Sequence, residues 1–453
     1  MSHDSQQAVL FEGFSSKPVV VAFSAPRQSS DGGLPLLAAI DRKLGLSDLL
    51  SRELQDGRRP KSVAHSMTEM VRQRIFSIAM GYADGNDAAR IGDDPLFKLA
   101  CGRACNSESG LASQPTLSRF ERAHGGRAIV AMGRTFESAV IKQLARRHRR
   151  AREITIDLDG SEDKTHGQQP FSYFNGYYDS SCYLPLFGFL SIDDQAEQHL
   201  FFARLRPGSG PESRCVRPLL RRVVPMLRKL FSKAKIVVRL DAGFASSELF
   251  DLFDELKVGY VAAMAKNSRL EVHAEAQMQA VRSLAKDFDQ TTTLFGECMY
   301  GALKWSRERR VIFKAEVVAH AGRALRDNLR FVVTNLCDGA ESLWKRYTKR
   351  GDAENRIKEL KLDLEIDRTS STSYLANQLR VLLTAAAFAL FQALRATLAG
   401  SELGRAMAST LRLKLLKIGA TVTESCRRIV IALPTSYPWK SMWLRTALAV
   451  GAR

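Results

Sequence analysis

The chain has 453 residues, 45% hydrophobic and 25% charged, enough apolar material for a substantial core and too long for one ordinary domain. Lys and Arg number 67 against 48 Asp and Glu, and the formal net charge of +19 calls for a polyanionic partner, nucleic acid first. The 7 Cys include no C-x-x-C pair, and Cys101 and Cys105 have no partners at zinc spacing, which argues against a disulfide framework or a zinc module.

Residues 1–36 read as an irregular N-terminal arm with one short strand, Val19–Phe23, and a Ser/Asp/Gly turn at 29–33. Residues 37–152 read as a helical region. Leu36, Leu37, Ile40 and Leu44 form one apolar stripe across its start; Met67, Met70, Val71, Ile75 and Ile78 form another. Pro115 suits the first turn of a third helix. The region ends in a basic run, Arg146, Arg147, Arg149, Arg150 and Arg152 around His148, which is either a phosphate contact or a solvated helix face.

At Glu153 the period changes. Ile154–Asp159 alternates as a strand, and Ser181–Ile192 and His199–Leu205 follow as strands. Helix Pro218–Phe231, strand Lys235–Leu240, helix Ser246–Leu256 and strand Gly259–Met264 come next. The order β-β-β-α-β-α-β fits an RNase H-like sheet, a three-strand meander followed by crossover units. It is not a Rossmann order, and no Gly-rich loop follows the first strand, so no nucleotide cofactor is expected.

Strands Thr293–Tyr300, Arg309–Val318 and Leu329–Thr334 place a β-rich insertion at 268–338. Helix Glu341–Leu362 and the long apolar helix Tyr374–Leu398 return to the core over 339–400. The charge-free run Val381–Leu394 is 14 residues, short of the roughly 20 that span a bilayer, so a buried core helix and no membrane are expected. Residues 401–453 form a C-terminal region with a last strand, Arg428–Leu433. The fold expected is α/β: an RNase H-like catalytic core in two parts, 153–267 and 339–400, carrying a β-rich insertion and preceded by a mostly helical N-terminal domain. With no basic-then-apolar leader and unpaired Cys, a cytoplasmic location is expected.

Three carboxylates carry the chemistry. Asp159 ends the first strand, and the alternation puts Thr155, Asp157 and Asp159 on one face. Asp241 ends the fourth strand, which lies beside the first in this topology, and Gly243 suits a sharp exit turn. Paired carboxylates at one sheet edge form a hard-oxygen site for Mg²⁺ or Mn²⁺, and two such ions serve in-line phosphoryl transfer. In the later helix, Tyr347, Arg350, Glu354 and Lys361 fall within about 60° of one another at about 100° per residue. Glu354 would serve a metal, Arg350 and Lys361 DNA phosphates. The plainer alternative is a surface helix with Glu354 paired to Arg350, and Glu359 and Glu365 compete for the carboxylate role.

Tyr347-x2-Arg350-x3-Glu354-x6-Lys361 resembles the Y-x2-R-x3-E-x6-K signature of the IS-four superfamily of bacterial insertion-sequence transposases. Gly81–Asp87, Leu111–Glu121, Thr165-His166-Gly167-Gln168-Gln169 and Ala265-Lys266-Asn267 are similar to its IS-thirteen-eighty family. The resemblance implies a DDE transposase with Asp159, Asp241 and Glu354 as catalytic metal ligands for two Mg²⁺ or Mn²⁺ ions. Asp159-Gly160-Ser161 fits the family's pattern after the first Asp; Asp157 remains the alternative ligand or a supporting partner. Tyr347, Arg350, Lys361, Lys266 and the arginines 146, 147, 149 and 150 would contact DNA. The implied partners are terminal inverted repeats and target DNA, handled by a homodimer. His166 is assigned a structural hydrogen bond. The rival readings are a two-metal nuclease that cuts without joining and a decayed transposase that only binds DNA.

Overall fold

The alternation of Ile154, Ile156 and Leu158 with Thr155, Asp157 and Asp159 produces strand β1 (Glu153–Gly160) in the middle of an eight-stranded sheet. A computed structural model describes residues 9–11, 19–21, 27–193, 195–210, 213–288, 290–320 and 323–452. They divide into two units: residues 1–43, 57–120 and 393–453, and residues 44–56 with 121–392.

The second unit holds the sheet. Its further strands are β2 (Leu186–Ile192), β3 (His199–Arg204), β4 (Lys235–Leu240), β5 (Gly259–Met264), β6 (Thr292–Tyr300), β7 (Arg309–Val318) and β8 (Arg326–Thr334). The spatial order is β6-β7-β8-β5-β4-β1-β2-β3. β1, β4 and β5 are parallel, and every other neighbouring pair is antiparallel. Residues 154–159 of β1 and 236–240 of β4 are all buried, as befits parallel strands covered on both faces. Besides the short helix Leu46–Arg52, its helices among the described residues are α1 (Gly126–Arg147), α2 (Ser213–Leu230), α3 (Ser247–Glu255), α4 (Ser268–Phe288), α5 (Ala340–Thr348), α6 (Gly351–Leu364) and α7 (Tyr374–Thr397).

Four expectations change. The run Ser181–Ile192 is not one strand. Ser180–Tyr183 joins 163–164 and 173–175 in a small separate sheet, and Pro185, without an N–H to give, interrupts the run before β2. The segment 268–338, expected as a β-rich insertion, is not β from its start. It opens with α4, whose Met278, Val281 and Ala285 pack on Ala315 and Val317, and β8 pairs with β5, so its strands prolong the central sheet. Pairing in this way removes the exposed edge β5 would otherwise present.

Helix Glu341–Leu362 is broken between Thr348 and Gly351. Arg350 N–H donates to Tyr347 O at 2.9 Å and Ala353 N–H to Arg350 O at 2.9 Å, tight three-residue bonds across the joint. Gly351, about 1 kcal/mol poorer than Ala as a helix former, makes the joint inexpensive. Finally, the region 37–152 divides. Residues 57–120 group with both ends of the chain, while α1 packs against β3 through an apolar face that includes Met132, Phe136 and Ile141.

α7 meets the length and apolarity of a membrane span, yet 89% of its most apolar window is buried, in line with the core-helix expectation. Its glutamines cover the edge strand β3. Leu205 N–H donates to Gln378 Oε1 (2.6 Å) and Leu200 N–H to Gln392 Oε1 (3.1 Å), while Gln392 Nε2 donates to Gln198 O (2.5 Å). Unpaired backbone groups at a sheet edge are thereby satisfied by side chains.

The first unit contains helices Leu34–Leu44, Met67–Met80, Pro95–Cys101 and Gln114–Arg122 and a three-stranded sheet of Gln28–Ser29, Ala420–Glu424 and Ile429–Ala432. Gly33 must be glycine: its N–H donates to Leu416 O at 2.9 Å, and a Cβ there would stand 2.0 Å from Leu415 O. In the Gly81–Asp87 segment, Tyr82 donates to Asp31 Oδ2 at 2.9 Å and Lys417 Nζ meets Asp31 Oδ1 at 2.6 Å, so buried Asp31 is held from two directions. Val19–Val21 is a strand paired with Val9–Phe11; Ala22 and Phe23 of the expected strand, like most of the expected arm, lie outside the described residues.

Candidate active site

β1 and β4 pair in parallel from Glu153↔Lys235 to Leu158↔Leu240. One residue further on lie Asp159, still paired with β2, and Asp241, just past the end of β4, at the C-terminal ends of neighbouring strands. Asp159 is 8% exposed. Asp241 is half-buried and accepts the Ala242 N–H at 2.6 Å, fixing its carboxylate at the start of the 3₁₀ turn Ala242–Phe244.

Arg350, at the α5–α6 joint, brings the third carboxylate in. Its Nη1 donates to Asp159 Oδ2 at 3.0 Å and its Nη2 to Glu354 Oε1 at 2.6 Å. The i,i+4 pairing of the plainer alternative is therefore present, but the same guanidinium also ties α6 to β1. Arg350 is held fully charged: burial works against its charge, but Asp159, Tyr347, Asp241 and Glu354 around it outweigh that. Burial pushes the Tyr347 phenol up, with Asp241 and Glu354 adding to the effect and Arg350 opposing it, so this ring stays protonated at neutral pH. Tyr347, Arg350, Glu354, Asp159 and Asp241 thus share one neighbourhood.

Other expected residues lie elsewhere. Lys361 donates to Glu162 O at 2.5 Å and stands 3.7 Å from Asp367, so it braces the segment after β1. Lys266, in the turn after β5, is exposed at the same sheet edge as Asp241 and 3.5 Å from Glu271. Asn267 beside it caps α4, accepting the Leu270 N–H at 3.1 Å. Arg146, Arg147, Arg149 and Arg150 are exposed but precede the N-terminal end of β1. Six residues at about 3.3 Å each put roughly 20 Å of strand between that end and Asp159. The run is not part of this cluster. Sequence order concealed that, since a strand carries its two flanks to opposite edges.

Asp157 is fully buried and spoken for: Arg239 donates to both its oxygens at 2.7 Å, and Gln198 Nε2 donates at 3.0 Å. Burial pushes its carboxyl up and Arg239 pulls it down. Glu359 is buried against Arg356 at 2.8 Å, and Glu365 ends α6 in a left-handed conformation paired with Arg368. Each competitor is thus paired with an arginine other than Arg350. His166 is exposed and makes no hydrogen bond among the described residues, so the structural bond expected of it is not formed; the loop is held instead by Gln169 Nε2 donating to Thr369 O at 3.1 Å.

Two residues escaped the sequence reading. Arg239 had a signal: a cation inside the apolar run 236–240, on the face of Asp241, needs a buried partner. Asp163 had none, because its partner Thr369 lies 206 residues away, with Oγ1 at 3.0 and 2.9 Å from its two oxygens. Burial pushes Asp163 up to about 8; Thr369 opposes that, Asp367 adds to it, and Lys361 and Arg380 oppose it. The folded chain therefore holds this proton more tightly than the unfolded one, whose carboxyl titrates near the ordinary 3.8. The contribution of Asp163 to stability is greatest below that value, declines as pH rises through it to about 8, and is flat above. Asp163→Asn is expected to remove this decline. In thermal melts from pH 5 to 9, its advantage over wild type should grow up to pH 8 and then stay constant; parallel curves would refute the assignment.

Among the described residues no group of three or more His, Cys, Asp or Glu closes into a cluster able to hold a metal ion; a guanidinium links the carboxylates instead. Their chemistry nevertheless suits a divalent cation. All are hard oxygen donors, they sit around one positive charge, and Glu354 is open to solvent. Acidic residues from three segments far apart in sequence thus come to one sheet edge of a strongly basic chain, two of them bonded to one arginine. Residues 11–450 match the family model described as transposase DDE domain group 1, and the chain belongs to that family. Membership implies DNA as the partner and transposition or nuclease activity. No curated protein matches the chain.

Proposed function

We propose that this protein is an insertion-sequence transposase of the IS-four superfamily, in its IS-thirteen-eighty branch, that cuts DNA at the element's ends and joins them to a target. The observation that carries this is Arg350 bonded to both Asp159 and Glu354, with Asp241 at the end of the neighbouring strand. The order β3-β2-β1-β4-β5, with β1, β4 and β5 parallel, supports an RNase H-like core.

In this reading Asp159, Asp241 and Glu354 hold Mg²⁺ or Mn²⁺. Bound there, two ions would activate the attacking oxygen and stabilise the leaving one in an in-line displacement. The chain's own part is positioning. The aspartates are fixed by strand pairing, and Arg350 passes from the carboxylates to a DNA phosphate, where its planar fork suits bidentate contact. Tyr347, kept protonated, offers a hydrogen-bond donor beside it, and Lys266 and Lys361 meet phosphates further along. No protein nucleophile forms a covalent link to DNA. The working form is a homodimer on DNA in the cytoplasm, without a nucleotide cofactor.

The test is incubation of the protein with DNA carrying the flanking inverted repeats and Mg²⁺. Cleavage and joining are expected. Cleavage without joining would assign a nuclease, and binding alone a decayed enzyme.

A further inference from the structure

Directly beneath the two aspartates lies a second charged pair. Asp157 is two residues before Asp159 and Arg239 two before Asp241, and the strand register sets them opposite each other. Both are buried, at 0% and 3% exposure. The guanidinium uses Nε and Nη2 on the Asp157 carboxylate, each at 2.7 Å. Its remaining arm, Nη1, donates at 2.9 Å to the carbonyl of Arg346 in the last turn of α5, one residue before Tyr347. The side chain of Arg346 then reaches Glu153 Oε1 at the start of β1, at 2.8 Å.

A buried ion pair is a poor device for stability, since well-packed apolar residues often do as well or better. What an apolar pair lacks is the third, directed N–H. That N–H meets a carbonyl near a helix C-terminus, where a cation is favoured. We propose that Asp157 and Arg239 are positioning residues: Asp157 orients the guanidinium, and the guanidinium fixes the end of α5 over β4. Arg350 and Glu354 thereby arrive above Asp159 and Asp241. Asp157 acts through Arg239 and is not a ligand. This inference rests on the proposed role of Asp159, Asp241 and Glu354.

Two variants test it. Arg239→Lys keeps a cation for Asp157 but cannot reach the carboxylate twice and the carbonyl once. The double change Asp157→Leu with Arg239→Met fills the space with apolar side chains. Each is expected to fold and bind end DNA within a few-fold of wild type. Turnover should fall by up to about a hundredfold, the cost of an ångström-scale misplacement, and the Mg²⁺ needed for half-maximal cleavage should rise. Hydrogen exchange across 344–356 should quicken while the rest of the sheet is unchanged, a readout independent of cleavage. Unchanged exchange and turnover in a folded variant would overturn the proposal. So would collapse of both variants, because the pair would then serve the fold rather than the alignment. Wild type and Glu354→Gln run alongside: if they cleave equally, the site reading fails, whereas if they differ and exchange at the joint is unmoved, only this inference fails.

Discussion

Glu354→Gln is expected to lower DNA cleavage by about a thousandfold or more, the scale on which loss of one preorganised electrostatic group is felt. The amide keeps the shape and one oxygen but loses the charge a divalent cation needs. The same change should scarcely touch the fold. Glu354 has a side-chain exposure of 48% and pairs with Arg350 one turn back. Such exposed i,i+4 pairs contribute about 0.3–0.5 kcal/mol. Cleavage assays, gel shifts and thermal melts on the same preparation separate these effects. Retained cleavage within tenfold of wild type would remove Glu354 from the site.

Arg350→Gln should have the largest effect on the metal-free protein. Arg350 is 13% exposed in its side chain and bonded to Asp159, itself 11% exposed, with Glu354 on its other arm. Removing the cation leaves a largely buried carboxylate without its charge partner, a loss of roughly 1–3 kcal/mol. In EDTA the variant should melt a few degrees below wild type, as expected for a unit of this size. Added Mn²⁺ should then stabilise the variant more than wild type, because no resident guanidinium has to be displaced. Equal melting in EDTA, or equal response to Mn²⁺, would show that Arg350 is not the site's counter-charge. DNA cleavage should also fall, through loss of the phosphate contact rather than of metal binding.

The parts of this site legible beforehand are those that depend on local period. Ile154–Asp159 alternates, Lys235–Leu240 ends on Asp241, and the spacing Tyr347–Arg350–Glu354 is nearly one stripe whether or not the helix is continuous. The break at Gly351 was invisible because both flanks have helical composition, and periodicity does not report a tightened turn. Pairing across the sheet was only half legible. That β1 and β4 are neighbours followed from topology, but that Arg239 meets Asp157 follows from register. Strands β6–β8 were recognisable one by one, yet nothing local says that β8 pairs with β5 instead of closing a sheet of its own. Asp163 and Thr369 show the limit: two unremarkable polar residues become a buried pair only when the segment after α6 returns to the start of the small sheet.

The position of α4 and β6–β8 in the chain has a consequence for synthesis. Both aspartates lie on strands complete by residue 241, but Glu354 comes 113 residues later. In between, the sheet is lengthened by four strands, β5 and beyond it β8, β7 and β6. On the proposed reading, a ribosome-bound chain that has finished β1 and β4 carries two of the three carboxylates and no complete centre. The third carboxylate and the arginine that bonds it and Asp159 emerge within four residues of each other. Acid and counter-charge therefore arrive as one piece, and chains truncated before Arg350 should be inert toward DNA while still able to build the sheet.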